Sequence, residues 1–177
     1  EAFTLVEKCA PDLVVVDLSL PGRGGLELIK DIKKTYPDVP ALGLSMHDEL
    51  VFGERVLRAG GRGYVSKSED ASTMLVAIRR ILDGGVYLSD KVSTAMLGRL
   101  SGSGKARSAS PVERLTDREL EVFSLIGRAL GTTEIARNLN MSVKTVEAHR
   151  ANIKLKLGLR SGPELMRRAV LWAESAR

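Results

Sequence analysis

The segment LSGSGKARSASPV, Leu100–Val112, constrains the fold more than any other stretch of this chain. It is rich in Ser and Gly and nearly free of apolar side chains, so it reads as a flexible linker. It splits the 177 residues into two units, 1–99 and 113–177, each long enough for its own core. The two units follow different hydrophobic periods, so they are expected to belong to different fold classes. No internal repeat is visible.

The first unit alternates short apolar runs with helical spacing. Leu13–Val16, Ala41–Ser45 and Gly63–Val65 read as strands. Between and after them, Leu26–Lys34, Leu50–Ala59 and Asp70–Leu82 read as helices. Gly22–Gly25, Gly60 with Gly61, and Gly84 with Gly85 supply turns or helix ends. Alternation of this kind predicts a parallel sheet with helices on both faces, an α/β doubly wound unit.

The second unit shows no strand pattern and predicts four helices, giving an all-α fold. Thr116 and Glu119 form a capping box, and Leu115 and Leu120 stand where a hydrophobic staple packs. Ser161 and Glu164 form a second box with Pro163 in the first turn. Gly131 separates the first two helices, and Ser142 is placed to cap the third.

Charge is uneven between the units. Residues 1–97 hold 12 Lys/Arg against 14 Asp/Glu, whereas residues 113–177 hold 12 against 8. The positive excess lies in the last third and its leading linker, the footprint of a nucleic-acid-binding module. No apolar run approaches the ~20 residues that span a bilayer. Cys9 is the only cysteine, which suits a reducing, cytoplasmic setting.

Thr132–Leu139 and Ser142–Leu157 are two helices joined by a short turn, the helix-turn-helix pattern. On the second of them Val146, His149, Ile153 and Leu157 form an inner stripe, which makes His149 a packed histidine rather than a base contact. Lys144, Glu147, Ala148, Ala151 and Asn152 occupy the opposite face, where side chains enter a major groove. Thr145, Arg150, Lys154 and Lys156 flank that face as phosphate contacts, with Ser142 and the N–H groups behind it as a further one. Thr133, on the preceding helix, joins the DNA-binding set. Glu147 either accepts from a cytosine amino group or orients a neighbouring Arg.

The run LTDRELEVFSLIGRALGTTEIARNLNMSVKTVEAHRANIKLKLGL resembles the helix-turn-helix domain of the LuxR/NarL/FixJ class of bacterial transcription regulators. The resemblance implies that the third helix reads double-stranded DNA. It also implies that the fourth, about Gly162–Glu174, is the contact of a homodimer.

In the first unit, Asp17, Ser45 and Lys67 fall at the C-terminal edge of one sheet, where open α/β sheets gather functional groups. A carboxylate there can attack a phosphoryl group, and a hydroxyl and an ammonium can bind its oxygens. PDLVVVDLSLPGRGGLELIKDIK, LSMHDE and GYVSK together resemble the flavodoxin-like receiver domain of two-component response regulators. The resemblance assigns Asp17 as phosphoacceptor and Ser45, Tyr64 and Lys67 as the switch set. It implies a sensor histidine kinase as partner. Ser68 stands after the lysine where many receivers have proline.

Such receivers open with a strand, a helix and a second strand, and an acidic pair on the first strand holds Mg²⁺. This sequence begins at Glu1 in what matches the second helix, Glu1–Cys9. The expectation is therefore a truncated receiver, either a fragment of a longer protein or a sheet whose edge a second chain covers. Asp17 and Ser19 would ligate Mg²⁺ only if the acidic pair were supplied, so no bound metal is expected in this chain. Two other readings stay open: a phosphorylation-independent DNA binder, and a protein-interaction module. No catalytic constellation points to an enzyme.

Overall fold

A computed structural model describes residues 2–20, 24–46, 49–101 and 111–175. The chain forms two compact units. Most of the expected linker, and part of the expected turn at Gly22–Gly25, lie outside the described residues.

The first unit runs α1 (Ala2–Cys9), β1 (Val14–Asp17), α2 (Gly25–Thr35), β2 (Ala41–Ser45), α3 (Glu49–Arg58), β3 (Gly63–Ser66), α4 (Ala71–Leu82) and α5 (Asp90–Leu100). The three strands pair in parallel in the order β1-β2-β3, with Val16 opposite Gly43 and Gly43 opposite Tyr64. Pleating sends alternate residues to opposite faces. Leu42 and Val65 pack with Ala77 and Ile81 of α4 on one face. Gly43, one residue along, faces Val56 of α3 on the other. The sheet is thus covered on both sides, as the alternation of periods predicts. Asp70 caps α4, its carboxylate accepting from the Thr73 N–H at 2.8 Å.

Two features of this unit depart from the sequence reading. α5 was not anticipated; DKVSTAMLGRL carries Ser, Thr and Gly, and its apolar spacing is weak. Its Val92 is nonetheless buried, close to the Cα of Gly53. The β1 run is also less enclosed than a strand buried on both faces. Val16 is buried, but the neighbouring Val15 is exposed and β1 forms one edge of the described sheet.

The second unit has a 3-10 turn at Pro111–Arg114, then α6 (Asp117–Gly127), α7 (Thr132–Asn138), α8 (Val143–Leu157) and α9 (Gly162–Ser175). Val112 is buried, so the folded unit takes in the last linker residues. The first capping box forms: Glu119 Oε2 accepts from the Thr116 N–H at 2.8 Å, and Thr116 Oγ1 accepts from the Glu119 N–H at 3.3 Å. Leu115 and Leu120 are both buried, as a staple requires. The second box forms differently. Ser161 Oγ accepts from the Glu164 N–H, but the Glu164 carboxylate reaches the Arg160 N–H instead of Ser161. Phe123 and Trp172 meet with their rings tilted 47° and centroids 5.5 Å apart, and join α6 to α9.

Candidate functional site

The C-terminal edge of the sheet brings the predicted residues together. Lys67 Nζ stands 2.6 Å from Asp17 Oδ2, and each side chain is about one-third exposed. β1 and β3 are not paired with each other, so this contact spans the end of β2 between them. The Ser45 carbonyl accepts the Lys67 N–H at 2.8 Å, and the Tyr64 hydroxyl donates to the same oxygen at 3.4 Å. Ser45 and Tyr64 are both buried. Gly25 begins α2 directly against Asp17; a Cβ there would lie 2.6 Å from the Asp17 carbonyl oxygen, so a larger residue would push the helix off the edge. Ser19 is exposed just beyond β1. A carboxylate and an ammonium are thus in contact at this edge, and the strand end that carries the buried Ser45 lies beside the Lys67 main chain.

The family of receiver domains uses Mg²⁺, a hard cation that takes several oxygen ligands at once. Among the described residues no group of three or more His, Cys, Asp or Glu side chains could hold a metal ion. The Asp17 carboxylate is already in contact with the Lys67 ammonium. The described residues at this edge therefore do not by themselves fit a Mg²⁺ site.

In the second unit, α7 starts at Gly131, whose N–H donates to Glu134 at 2.7 Å. It ends at Leu139, and Asn140 takes a left-handed conformation (φ 54°) that turns the chain. Ser142 then caps α8, its Oγ accepting from the Thr145 N–H at 3.0 Å. The Ser142 and Thr145 hydroxyls lie 2.7 Å apart. Val146 and Ile153 are fully buried and fix the rotation of α8 about its axis. His149 and Leu157, the other inner-stripe residues, are half-buried.

The opposite side of α8 is open. Ser142, Lys144, Thr145, Glu147, Ala148, Ala151 and Asn152 are exposed, as is Thr133 on α7, while Arg150 and Lys154 are half-buried. Lys156 is placed otherwise than as a phosphate contact. Its Nζ lies 2.6 Å from Glu119 Oε2, and the Glu119 side chain is only 4% exposed. Burial pushes the Glu119 carboxyl up, but hydrogen bonds from Lys156 and Thr116 outweigh it and hold the group below its ordinary range. Sequence reasoning found Glu119 only as a cap. Leu155 was missed as well: it is 81% exposed, and its spacing of four from Ala151 marks it as part of the same open face.

Residues 1–79 match the response regulator receiver domain family, and residues 113–169 match the LuxR family of bacterial regulatory proteins. The oxygen regulatory protein NreC of Staphylococcus aureus is 38% identical over 174 residues, covering 96% of this chain and 80% of NreC. The chain belongs to the LuxR-type two-component response regulators. It carries the DNA-binding domain of that family and is a transcription regulator. Solved structures agree. RcsB of Salmonella enterica bound to the promoter rprA, with a phosphomimetic present, superposes with a TM-score of 0.61 at 26% identity, over 93% of this chain and 78% of RcsB. A LuxR-family response regulator from Aurantimonas gives 0.52 at 33% identity, over 56% of this chain and 71% of its own. In this response regulator, no helix among the described residues is long and apolar enough to cross a membrane.

Proposed function

We propose that this response regulator reads double-stranded DNA in the major groove with α8, as a cytoplasmic homodimer joined through α9. The observation that carries the reading is the division of α8 into two sides. Val146 and Ile153 are sealed into the unit, while Lys144, Glu147, Ala148, Ala151 and Asn152 face outward from a helix whose start Ser142 holds. Thr133, Ser142, Thr145, Arg150 and Lys154 border that face and serve the phosphates. A symmetric dimer would select an inverted repeat with half-sites about one helical turn apart. Residues 113–177 act as the DNA-binding unit and residues 1–99 as the controlling one, with 100–112 between them.

Once oxygen ligands that complete the Mg²⁺ site are supplied, control runs through Asp17 as phosphoacceptor, with Ser45, Tyr64 and Lys67 responding, and a sensor histidine kinase supplies the phosphoryl group. Lys67 at 2.6 Å from Asp17 supports this reading, since the same ammonium can neutralise an added phosphoryl oxygen. Phosphorylation assisted by Mg²⁺ calls for oxygen ligands beyond Asp17 and Ser19. RcsB bound to its promoter in the presence of a phosphomimetic is the relevant precedent among similar structures.

The test is binding of the full chain to a promoter library at several salt concentrations. Affinity that falls steeply with salt, and that Lys144→Ala or Asn152→Ala weakens, supports the reading. Absence of any binding at low salt would instead favour a protein-interaction role for the helical unit.

A further inference from the structure

The open face of α8 is unusually apolar along its centre line. At about 3.6 residues per turn, Lys144, Ala148, Ala151 and Leu155 fall within roughly 60° of one another. Ala148 and Ala151 are exposed, and Leu155, at 81%, is the most exposed large hydrophobic residue among those described. Glu147 and Asn152 stand to either side of this line, and Val146 and Ile153 on the reverse of the helix are fully buried. The rotation of the helix is therefore fixed, and the apolar strip is held outward. From Ala148 to Leu155 it runs about 10 Å along the axis at 1.5 Å per residue.

An apolar strip on a groove-facing helix can distinguish bases in one way. Thymine alone presents a methyl group, at C5, on the major-groove edge; the other bases present only donors and acceptors there. Alanine side chains cannot hydrogen-bond, so they discriminate by contact with that methyl or by excluding water from beside it. We propose that Ala148, Ala151 and Leu155 select thymine through its C5 methyl, so that the target half-site carries thymines under this strip. Lys144, at the N-terminal end of the line, contributes hydrogen bonding next to them, and Leu155 extends methyl selection to the outer end. This rests on α8 entering the major groove.

The experiment begins with selection of duplexes from a random pool by the full chain. Each thymine of the selected site is then replaced, one at a time, by deoxyuridine, which keeps every hydrogen-bonding group and removes only the methyl. The wild-type chain is expected to lose about fourfold in affinity at two or more thymines, the effect of one methyl-sized burial. Ala151→Ser and Leu155→Ser should each erase that loss at one position while leaving the thermal midpoint unchanged, because both residues are exposed. Selected sites without thymine, or sites where deoxyuridine is neutral throughout, overturn methyl selection but leave DNA binding by α8 standing. Leu155→Ser that changes oligomeric state and not deoxyuridine sensitivity also overturns it, and makes the strip a protein contact. No selection from the pool at low salt overturns the groove reading and this inference with it.

Discussion

Glu119 at the start of α6 and Lys156 near the end of α8 meet at 2.6 Å, although 37 residues separate them. The same carboxylate oxygen, Oε2, accepts from the Thr116 N–H at 2.8 Å. One buried acid thus closes the first turn of a scaffold helix and anchors the helix that faces outward. Removing either partner leaves a charge with poor solvation.

Glu119→Ala should destabilise the second unit by about 2–3 kcal/mol. That is below the usual cost of breaking a fully buried pair, because Lys156 is one-third exposed. Denaturant unfolding followed by circular dichroism measures it, and a change under about 0.5 kcal/mol would mean that the pair carries no weight.

The pair also predicts a pH dependence. Glu119 titrates below its ordinary value of 4.5 in the folded chain. A depressed folded-state value means that its stabilisation is fully present above 4.5 and is lost as pH falls through the folded-state value. Glu119→Gln should therefore flatten the decline of the thermal midpoint on the acid side of 4.5, while lowering the midpoint at neutral pH. Parallel midpoint-against-pH curves for the two proteins would contradict this.

Val146→Asp should abolish folding of the second unit, since Val146 is fully buried and an unpaired charge there is costly. Lys144→Ala should leave the thermal midpoint in place and reduce the dependence of log affinity on log salt by about one unit. The contrast matters: two positions two residues apart on one helix are expected to fail for different reasons. An unfolded Lys144→Ala protein would mean that this side chain supports the fold.

Ser124 is buried in α6, and its hydroxyl has no hydrogen-bond partner among the described residues. Ser124→Ala should be neutral or stabilising by up to about 1 kcal/mol, because it removes an unsatisfied polar atom and leaves the packing intact. A clear loss of stability would reveal that the hydroxyl is satisfied in solution, for example by a buried water.

Acetyl phosphate with Mg²⁺ should label this 177-residue chain well below stoichiometry, because the described residues around Asp17 do not form a metal site. Intact-mass measurement reads the outcome. Ready labelling that Asp17→Asn abolishes would show that the ligands are sufficient.

Much of this architecture was legible because its signals are local. The Thr116–Glu119 box and the Ser142 cap are contacts between residues three apart, and the three strands are contiguous apolar runs. Asp17, Ser45 and Lys67 could be brought together because parallel strands end at the same edge. What escaped notice depends on how helices cross. Nothing near Lys156 in sequence points to Glu119, and the Asp90–Leu100 helix is stabilised by neighbours such as Gly53 rather than by a clean stripe of its own. Only half of the Ser161–Glu164 box forms: Ser161 accepts from the Glu164 N–H, while the Glu164 carboxylate takes the Arg160 N–H.

The Ser45 carbonyl takes two donors at once, the Lys67 main chain and the Tyr64 hydroxyl. An aromatic ring and a strand end therefore hang from a single oxygen. Any displacement of Ser45 toward Asp17 must lengthen one of these bonds or drag its donor along. A reporter on the Tyr64 ring, such as a fluorine nucleus, would register chemistry at Asp17 without touching it.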